Sequence, residues 1–147
     1  MFAFERQKQA HKVIADLAAL NGVSQQIDLH AEFDLAQARE FSLGERPLVL
    51  VDIEGGEKDL IGADFADFFR RAALVVEIHD FVVPGAGRKV REILSRTHKL
   101  EIVEHSPRIR RDLRAGTGFS ALDWDLATSE KRPHGNYWLI CEPDKTL

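Results

Sequence analysis

Apolar residues fall in short runs that alternate with stretches of helical spacing, a pattern that predicts strands alternating with helices. Residues 48–51, LVLV, are typical of a strand buried on both faces of a parallel sheet. The run ends at Asp52, and a turn of acidic residues and glycines follows. Apolar residues then recur at helical spacing: Leu60, Ile61, Phe65, Phe68 and Phe69. This is the βα step of a doubly wound sheet, in which ligands bind beyond the carboxyl ends of the strands.

A second copy of this layout follows in the chain. Residues 74–76 are apolar and lead into Glu77, Ile78, His79 and Asp80, after which a Pro-Gly-Ala-Gly loop precedes a helical stretch at residues 88–96. Two neighbouring strands that end in carboxylates and an imidazole place polar groups at one edge of the sheet. We expect the functional site at that edge.

The remaining pattern gives shorter elements and one long polar stretch. We predict strands at residues 1–4, 23–29, 100–103 and 136–141, a helix that ends at Asn21-Gly22 and a weaker helix at 32–41. Residues 106–135 hold four arginines and no clear periodicity. The fold class expected is α/β, a Rossmann-like doubly wound, mostly parallel sheet with an antiparallel pair of strands at its C-terminal edge.

Composition narrows the class of protein. The chain has 147 residues, 44% of them hydrophobic and 30% charged, which fits one globular domain spanning residues 1–147. A formal net charge of -4 argues against a general nucleic-acid binder. The single cysteine, Cys141, suits a reducing compartment and is interpreted as a buried thiol. No signal peptide or membrane-spanning run is evident, so a cytoplasmic location is expected.

Four segments occur in an order that resembles a known family. They are FAFE at 2–5, LVLVDIEGGE at 48–57, LVVEIHD at 74–80 and EKRPHGNYWLICEP at 130–143. Together they resemble the FkbM-type class I S-adenosylmethionine-dependent methyltransferases along nearly the whole chain. The resemblance implies a methyltransferase fold, S-adenosyl-L-methionine as cofactor and a small-molecule acceptor.

The sequence also departs from that family. Its members open with a strand and a glycine-rich loop that holds the methionine part of the cofactor, and this sequence matches the family from the second strand onward. The missing strand lies centrally in the family's sheet, between the second and fourth strands. We therefore expect a truncated methyltransferase fold in which two strands re-pair or another chain supplies a partner.

The resemblance assigns roles to the strand-end residues. Glu5 takes the position that binds the cofactor ribose, and Glu32 lies where adenine binds. Asp52 is both a cofactor-binding and a catalytic candidate, since its carboxylate can hold the sulfonium, orient an acceptor hydroxyl and take its proton. Each of the three has an alternative interpretation as a carboxylate that caps a turn or begins a helix.

Glu77 and His79 complete the catalytic candidates. An imidazole can act as a base at neutral pH, which makes His79 the candidate base. Strand alternation places Glu77 and His79 on one side and Asp80 on the other. These groups, with Asp52 and Glu54, have the chemistry to bind a divalent cation, but their spacing singles out no metal and none is assigned. Glu57 is expected to serve the amino terminus of the following helix.

Three functions remain open from the sequence. The first is O-methyl transfer to a small-molecule or sugar-like acceptor. The second is a non-catalytic methyltransferase-fold remnant that acts as a binding or oligomerising module, because the glycine loop is missing. The third is a metal-dependent hydrolase that uses the acidic strand ends.

Overall fold

The computed structural model describes residues 1–104, 120 and 136–145. The chain divides into two compact units, Met1–Leu43 and Gly44–Leu147. The expectations for residues 106–119 and 121–135, including the arginines at 108–114, the Gly-Thr-Gly turn, Phe119 and Trp124, lie outside the described residues. Within the part of the chain that is described, no helix combines the length and the apolar character needed to cross a membrane.

The first unit is built on two short parallel strands, β1 (Phe2–Phe4) and β2 (Asp28–His30), paired from Phe2 with Asp28 to Phe4 with His30. Helix α1 (Lys8–Leu20) connects them and ends, as predicted, at Asn21-Gly22. Gly22 has a φ of 69°, the left-handed conformation that favours glycine at this position. In this unit Phe2 stacks on Phe41, and Phe4 stacks on His30 and contacts Phe33 edge to face, so the unit has its own aromatic cluster.

Two elements of this unit are shorter than the sequence pattern predicts. The strand expected at 23–29 is a 3₁₀ turn at Ser24–Gln26 followed by the three residues of β2. The helix expected at 32–41 is a single turn, α2 (Leu35–Ala38). It begins after Asp34, whose carboxylate accepts a hydrogen bond from Ala36 N at 2.9 Å. An N-cap aspartate fixes the start of a helix, and the apolar spacing alone did not locate it.

The second unit alternates strands and helices as expected. Its elements are β3 (Leu48–Val51), α3 (Glu57–Leu60), α4 (Ala63–Phe68), β4 (Ala73–His79), α5 (Ala86–Leu94), β5 (His98–Glu104) and β6 (Asn136–Pro143). The helical stretch predicted after β3 is divided into α3 and α4. The chain leaves the helical conformation at Ile61 and Gly62, whose backbones are extended.

The strand order in this unit is β3-β4-β6-β5. Strands β3 and β4 are parallel, whereas β6 runs antiparallel to both of its neighbours. The protein is therefore α/β, but in the described residues this four-stranded sheet is mixed, with one parallel and two antiparallel pairs, rather than mostly parallel as expected. The last two strands form an antiparallel pair at one edge of the sheet, as predicted, and β6 is the inner strand of that pair. It is inserted between β4 and β5, so β5 is the edge strand.

The core of the second unit lies around β4. Leu74, Val76 and Ile78 alternate along one face of this strand and are fully buried, together with Leu139 of β6 and Val90 of α5. A central strand with helices packed on it removes these side chains from water, which is the main stabilising contribution to the unit.

The burial predicted for β3 is wrong. Val51 is buried, but Leu48 and Leu50 are 69% and 65% exposed. In the described residues β3 is an edge strand that pairs with β4 alone. Its apolar run therefore has one face on the core and one face exposed, despite containing no polar residue.

Candidate functional site

The two strand ends predicted to form a site lie side by side. Val51, the last residue of β3, is paired with Val76 of β4 in a parallel register. Asp52 directly follows β3, while Glu77 and His79 are among the last three residues of β4. Both sets of polar side chains therefore reach the same carboxyl edge of the sheet, where ligands bind in open α/β sheets.

A tight turn returns the chain from β3 into α3. Glu54 has a φ of 52°, which non-glycine residues rarely adopt, and Gly55 has a φ of 104°. A Cβ at Gly55 would lie 2.9 Å from Val82 Cγ1, so a larger residue does not fit there. The backbone of this turn places the carboxylates of Asp52 and Glu54 toward the end of β4.

His79 is the centre of the cluster. Its Nε2 lies 3.3 Å from Glu54 Oε2 and 3.9 Å from Asp52 Oδ1. The same nitrogen lies 3.9 Å from Glu77 Oε1, which confirms that Glu77 and His79 share one side of β4. Asp52, Glu77 and His79, the three catalytic candidates, are thus brought together by the fold.

Glu57 holds the other side of the imidazole. Its Oε1 lies 2.8 Å from His79 Nδ1 and accepts a hydrogen bond from Gly55 N at 3.1 Å. A carboxylate can only accept, so Nδ1 carries the proton in this contact and Nε2 is the nitrogen that faces Asp52 and Glu54. Glu57 therefore orients the ring as well as beginning α3.

The cluster has an exposed half and a buried half. The side chains of Asp52 and Glu54 are 38% and 72% exposed, whereas those of His79 and Glu57 are fully buried and that of Glu77 is 4% exposed. A molecule arriving from solvent meets Asp52 and Glu54 first. His79 lies behind them.

Asp80 lies on the other side of the strand and has a structural role. Its Oδ1 accepts a hydrogen bond from Gly87 N at 2.8 Å, in the first turn of α5. A Cβ at Gly87 would overlap Tyr137 Oη and would lie 2.8 Å from Ile78 Cγ2. Glycine at this position is what allows α5 to approach β4 and β6 so closely.

Two groups near this core have altered acidity. Burial raises the pKa of Tyr137 above its ordinary value of 10.0, the positive charge of Arg91 acts in the opposite direction, and Asp80 adds to the rise. Burial also raises the pKa of Cys141 from 9.0 to about 12. The buried thiol predicted from the sequence is confirmed, and such a thiol is a poor nucleophile at neutral pH.

The cofactor-binding candidates Glu5 and Glu32 belong to the first unit. Glu5 Oε1 accepts a hydrogen bond from Gln7 N, immediately before α1, so its carboxylate serves a helix start. Glu32 is exposed and precedes the Asp34 cap of α2, so it does not begin that helix. The interpretation of these residues as helix-start carboxylates is therefore supported by a hydrogen bond for Glu5, whereas no described contact supports it for Glu32.

Glu57 is the site residue whose role the sequence concealed. A glutamate at the first position of a helix interacts favourably with the helix dipole. Because that interaction already explains a glutamate at this position, the helix start alone offered no reason to expect a contact with His79. The signal that marked it was its spacing from Asp52 across a Gly-Gly turn, which folds the chain back onto the neighbouring strand. Tyr137, opposite Ile78 in the sheet, was likewise not singled out.

Comparisons with known proteins give no assignment. No protein-family model matches the chain, and neither a curated protein nor a solved structure is significantly similar to it.

Proposed function

We propose that this chain is an S-adenosylmethionine-dependent methyltransferase of the FkbM type, which transfers a methyl group to an oxygen of a small-molecule or sugar-like acceptor. One observation carries the proposal. Exposed Asp52 and buried His79 meet at the carboxyl ends of two paired parallel strands. This is where an α/β sheet of this class binds its ligands.

The strand pairing is compatible with the resemblance. In the resemblance, β1 and β3 correspond to the family's second and fourth strands, which flank its central first strand. In the described residues β1 pairs with β2 alone and β3 pairs with β4 alone, so each has one unpaired edge. The division into two sheets therefore falls between the two strands that, in the resemblance, flank the family's first strand.

The residues at this edge suit acceptor activation. Asp52 is the exposed catalytic candidate, so its carboxylate orients the acceptor hydroxyl and takes its proton. Glu57 fixes the ring of His79, whose Nε2 lies 3.9 Å from Asp52 Oδ1. Glu77 lies on the buried side of the same imidazole. His79 and Glu77 are in this account positioning residues behind Asp52.

The charge of the site fits the cofactor. S-adenosylmethionine supplies, when bound, an electrophilic methyl group on a positively charged sulfonium. Carboxylates surround His79 at the strand ends, and negative charge there favours a cationic ligand. Asp52 would contact the sulfonium side.

Calorimetry on the full chain tests the proposal. Titration with S-adenosylhomocysteine in EDTA is expected to give binding heat that S-adenosylmethionine competes for. Asp52→Asn should weaken the binding of S-adenosylmethionine by about tenfold, the loss expected for one contact to a charged group. Asp59→Asn, an exposed residue of α3, is the matched control and should bind as wild type. No heat and no competition at millimolar ligand would remove the proposal.

The exposed apolar residues favour one second candidate, a non-catalytic module that binds or oligomerises. Leu48 and Leu50 on β3, and Val13, Leu17 and Leu20 on α1, are all more than half exposed. Such residues are costly in contact with water unless a partner covers them. Sedimentation analysis distinguishes the candidates. Self-association that Leu50→Ser abolishes, without cofactor binding, would favour the module.

A further inference from the structure

Asp52, Glu54 and His79 offer two carboxylates and one imidazole as possible metal ligands. One ligand atom each from Asp52, Glu54 and His79 lies within 4.8 Å of the other two. Ligand atoms about 2.1 Å from one ion in a tetrahedral arrangement lie about 3.4 Å apart. The distance between His79 Nε2 and Glu54 Oε2 is 3.3 Å, which is close to this separation. Asp52 and Glu54 are exposed and can rotate to complete the set.

The imidazole is held in the orientation that a metal ligand needs. Glu57 accepts from Nδ1 at 2.8 Å, which directs the lone pair of Nε2 toward the two carboxylates. A buried carboxylate on the far nitrogen of a histidine is the usual device by which proteins fix the tautomer and raise the basicity of a ligating ring. His79 is fully buried, so its orientation does not depend on solvent.

A second observation, from Glu57 itself, points to a cation. Glu57 is completely buried, and its Oε2 has no hydrogen-bond partner within the described residues. No described lysine or arginine forms an ion pair with Asp52, Glu54 or Glu57. Buried negative charge is costly unless positive charge compensates it, and the carboxylate of Glu57 is fully buried.

We propose that Asp52, Glu54 and His79 bind a divalent transition-metal cation of the Mn²⁺ or Zn²⁺ class. The imidazole favours these ions over Mg²⁺ and Ca²⁺, which prefer oxygen ligands alone. Three protein ligands leave coordination positions open to solvent, as in catalytic rather than structural metal sites. The exposed side of Asp52 and Glu54 is where a water or an acceptor oxygen would bind.

Titration with Mn²⁺ tests the site on the full chain in metal-free buffer, with free Mn²⁺ measured by its electron paramagnetic resonance signal. We expect one Mn²⁺ per chain, displaced by Zn²⁺. Glu54→Gln should weaken Mn²⁺ binding by about tenfold or more. Glu54 is exposed, so this variant should keep the fold, which circular dichroism verifies.

Asp59→Asn is the matched control, because it removes the same charge from an exposed position of α3 outside the cluster. It should bind Mn²⁺ as wild type does. Equal affinities in wild type, Glu54→Gln and Asp59→Asn would overturn the proposal, as would no binding at millimolar Mn²⁺.

The metal proposal does not rest on methyl transfer. The Mn²⁺ titration is made without cofactor, and the S-adenosylhomocysteine titration is made in EDTA. A chain that binds the cation and not the cofactor would contradict the proposed function alone, and the reverse result would contradict the metal site alone.

Discussion

Strands β3 and β4 are adjacent, parallel and almost equally apolar in sequence, yet they differ sharply in burial. Leu74, Val76 and Ile78 of β4 are completely buried, whereas Leu48 and Leu50 of β3 are mostly exposed. The difference extends to the strand ends, where Glu77 and His79 are buried and Asp52 is not. β4 supplies the buried half of the candidate site, and β3 leads into the half that meets solvent.

This contrast shows that an apolar run does not by itself determine burial. β4 has a strand on each side, while β3 has a neighbour on one side only in the described part of the chain. A residue's cost of substitution should therefore follow its position in the sheet rather than its hydrophobicity. The predictions below test this, beginning with the largest expected effect.

Replacing the buried imidazole should be the most damaging change. His79→Ala leaves the buried Glu57 carboxylate without its partner and should lower the free energy of unfolding by about 3–5 kcal/mol. Asp52→Asn changes the exposed half and should cost about 1 kcal/mol or less. Urea unfolding followed by circular dichroism measures both. Equal losses in the two variants would contradict the division into buried and exposed halves.

The second comparison is between alanine substitutions of a buried leucine, Leu74, and an exposed one, Leu50. Leu74→Ala should lower the free energy of unfolding by about 2–5 kcal/mol, because it opens a cavity in the centre of the sheet. Leu50→Ala should change it by about 0.5 kcal/mol or less. A large loss from Leu50→Ala in the same urea experiment would indicate that β3 is covered on its second face in solution.

Local signals in the sequence were enough to predict the βα steps. The apolar runs, the glycine turn after Asp52 and the helical spacing after His79 each act over a few residues, so strand β4 and helix α5 lie where they were predicted. The meeting of Asp52, Glu77 and His79 followed from the parallel pairing of β3 with β4, which short crossover helices impose.

Features that depend on distant residues were not predictable in the same way. The insertion of β6 between β4 and β5 depends on pairing across the long polar stretch, which carries no local signal. The exposure of Leu48 and Leu50 depends on what covers β3. The role of Glu57 depends on its contact with a strand 22 residues further along the chain.

Close packing behind β4 gives a third prediction. Gly87→Ala places a Cβ against Ile78, Asp80 and Tyr137, so it should destabilise the chain by about 1–3 kcal/mol. Gly62→Ala is the matched control, because a Cβ at Gly62 meets no atom within 4 Å and its φ is negative. Thermal unfolding compares the two. Similar transition midpoints would show that α5 does not pack as closely as described.

The buried thiol gives the smallest effect and a pH dependence. Because burial raises the pKa of Cys141 from 9.0 to about 12, the folded chain holds this proton after the unfolded chain has lost it. Its contribution is therefore intact below pH 9 and is lost as pH rises toward 12. The stability difference between wild type and Cys141→Ala should narrow across this window. A constant difference would contradict the burial of the thiol.

The contact between Glu57 and His79 orients the imidazole in both proposals, and nuclear magnetic resonance tests it directly. Long-range proton–nitrogen correlation, with His79 assigned by comparison with His79→Gln, reports which ring nitrogen carries a proton. The account predicts a proton on Nδ1 that exchanges slowly with solvent, since it is buried and held by Glu57. A bare Nδ1, or a ring whose protons exchange freely, would contradict the central claim.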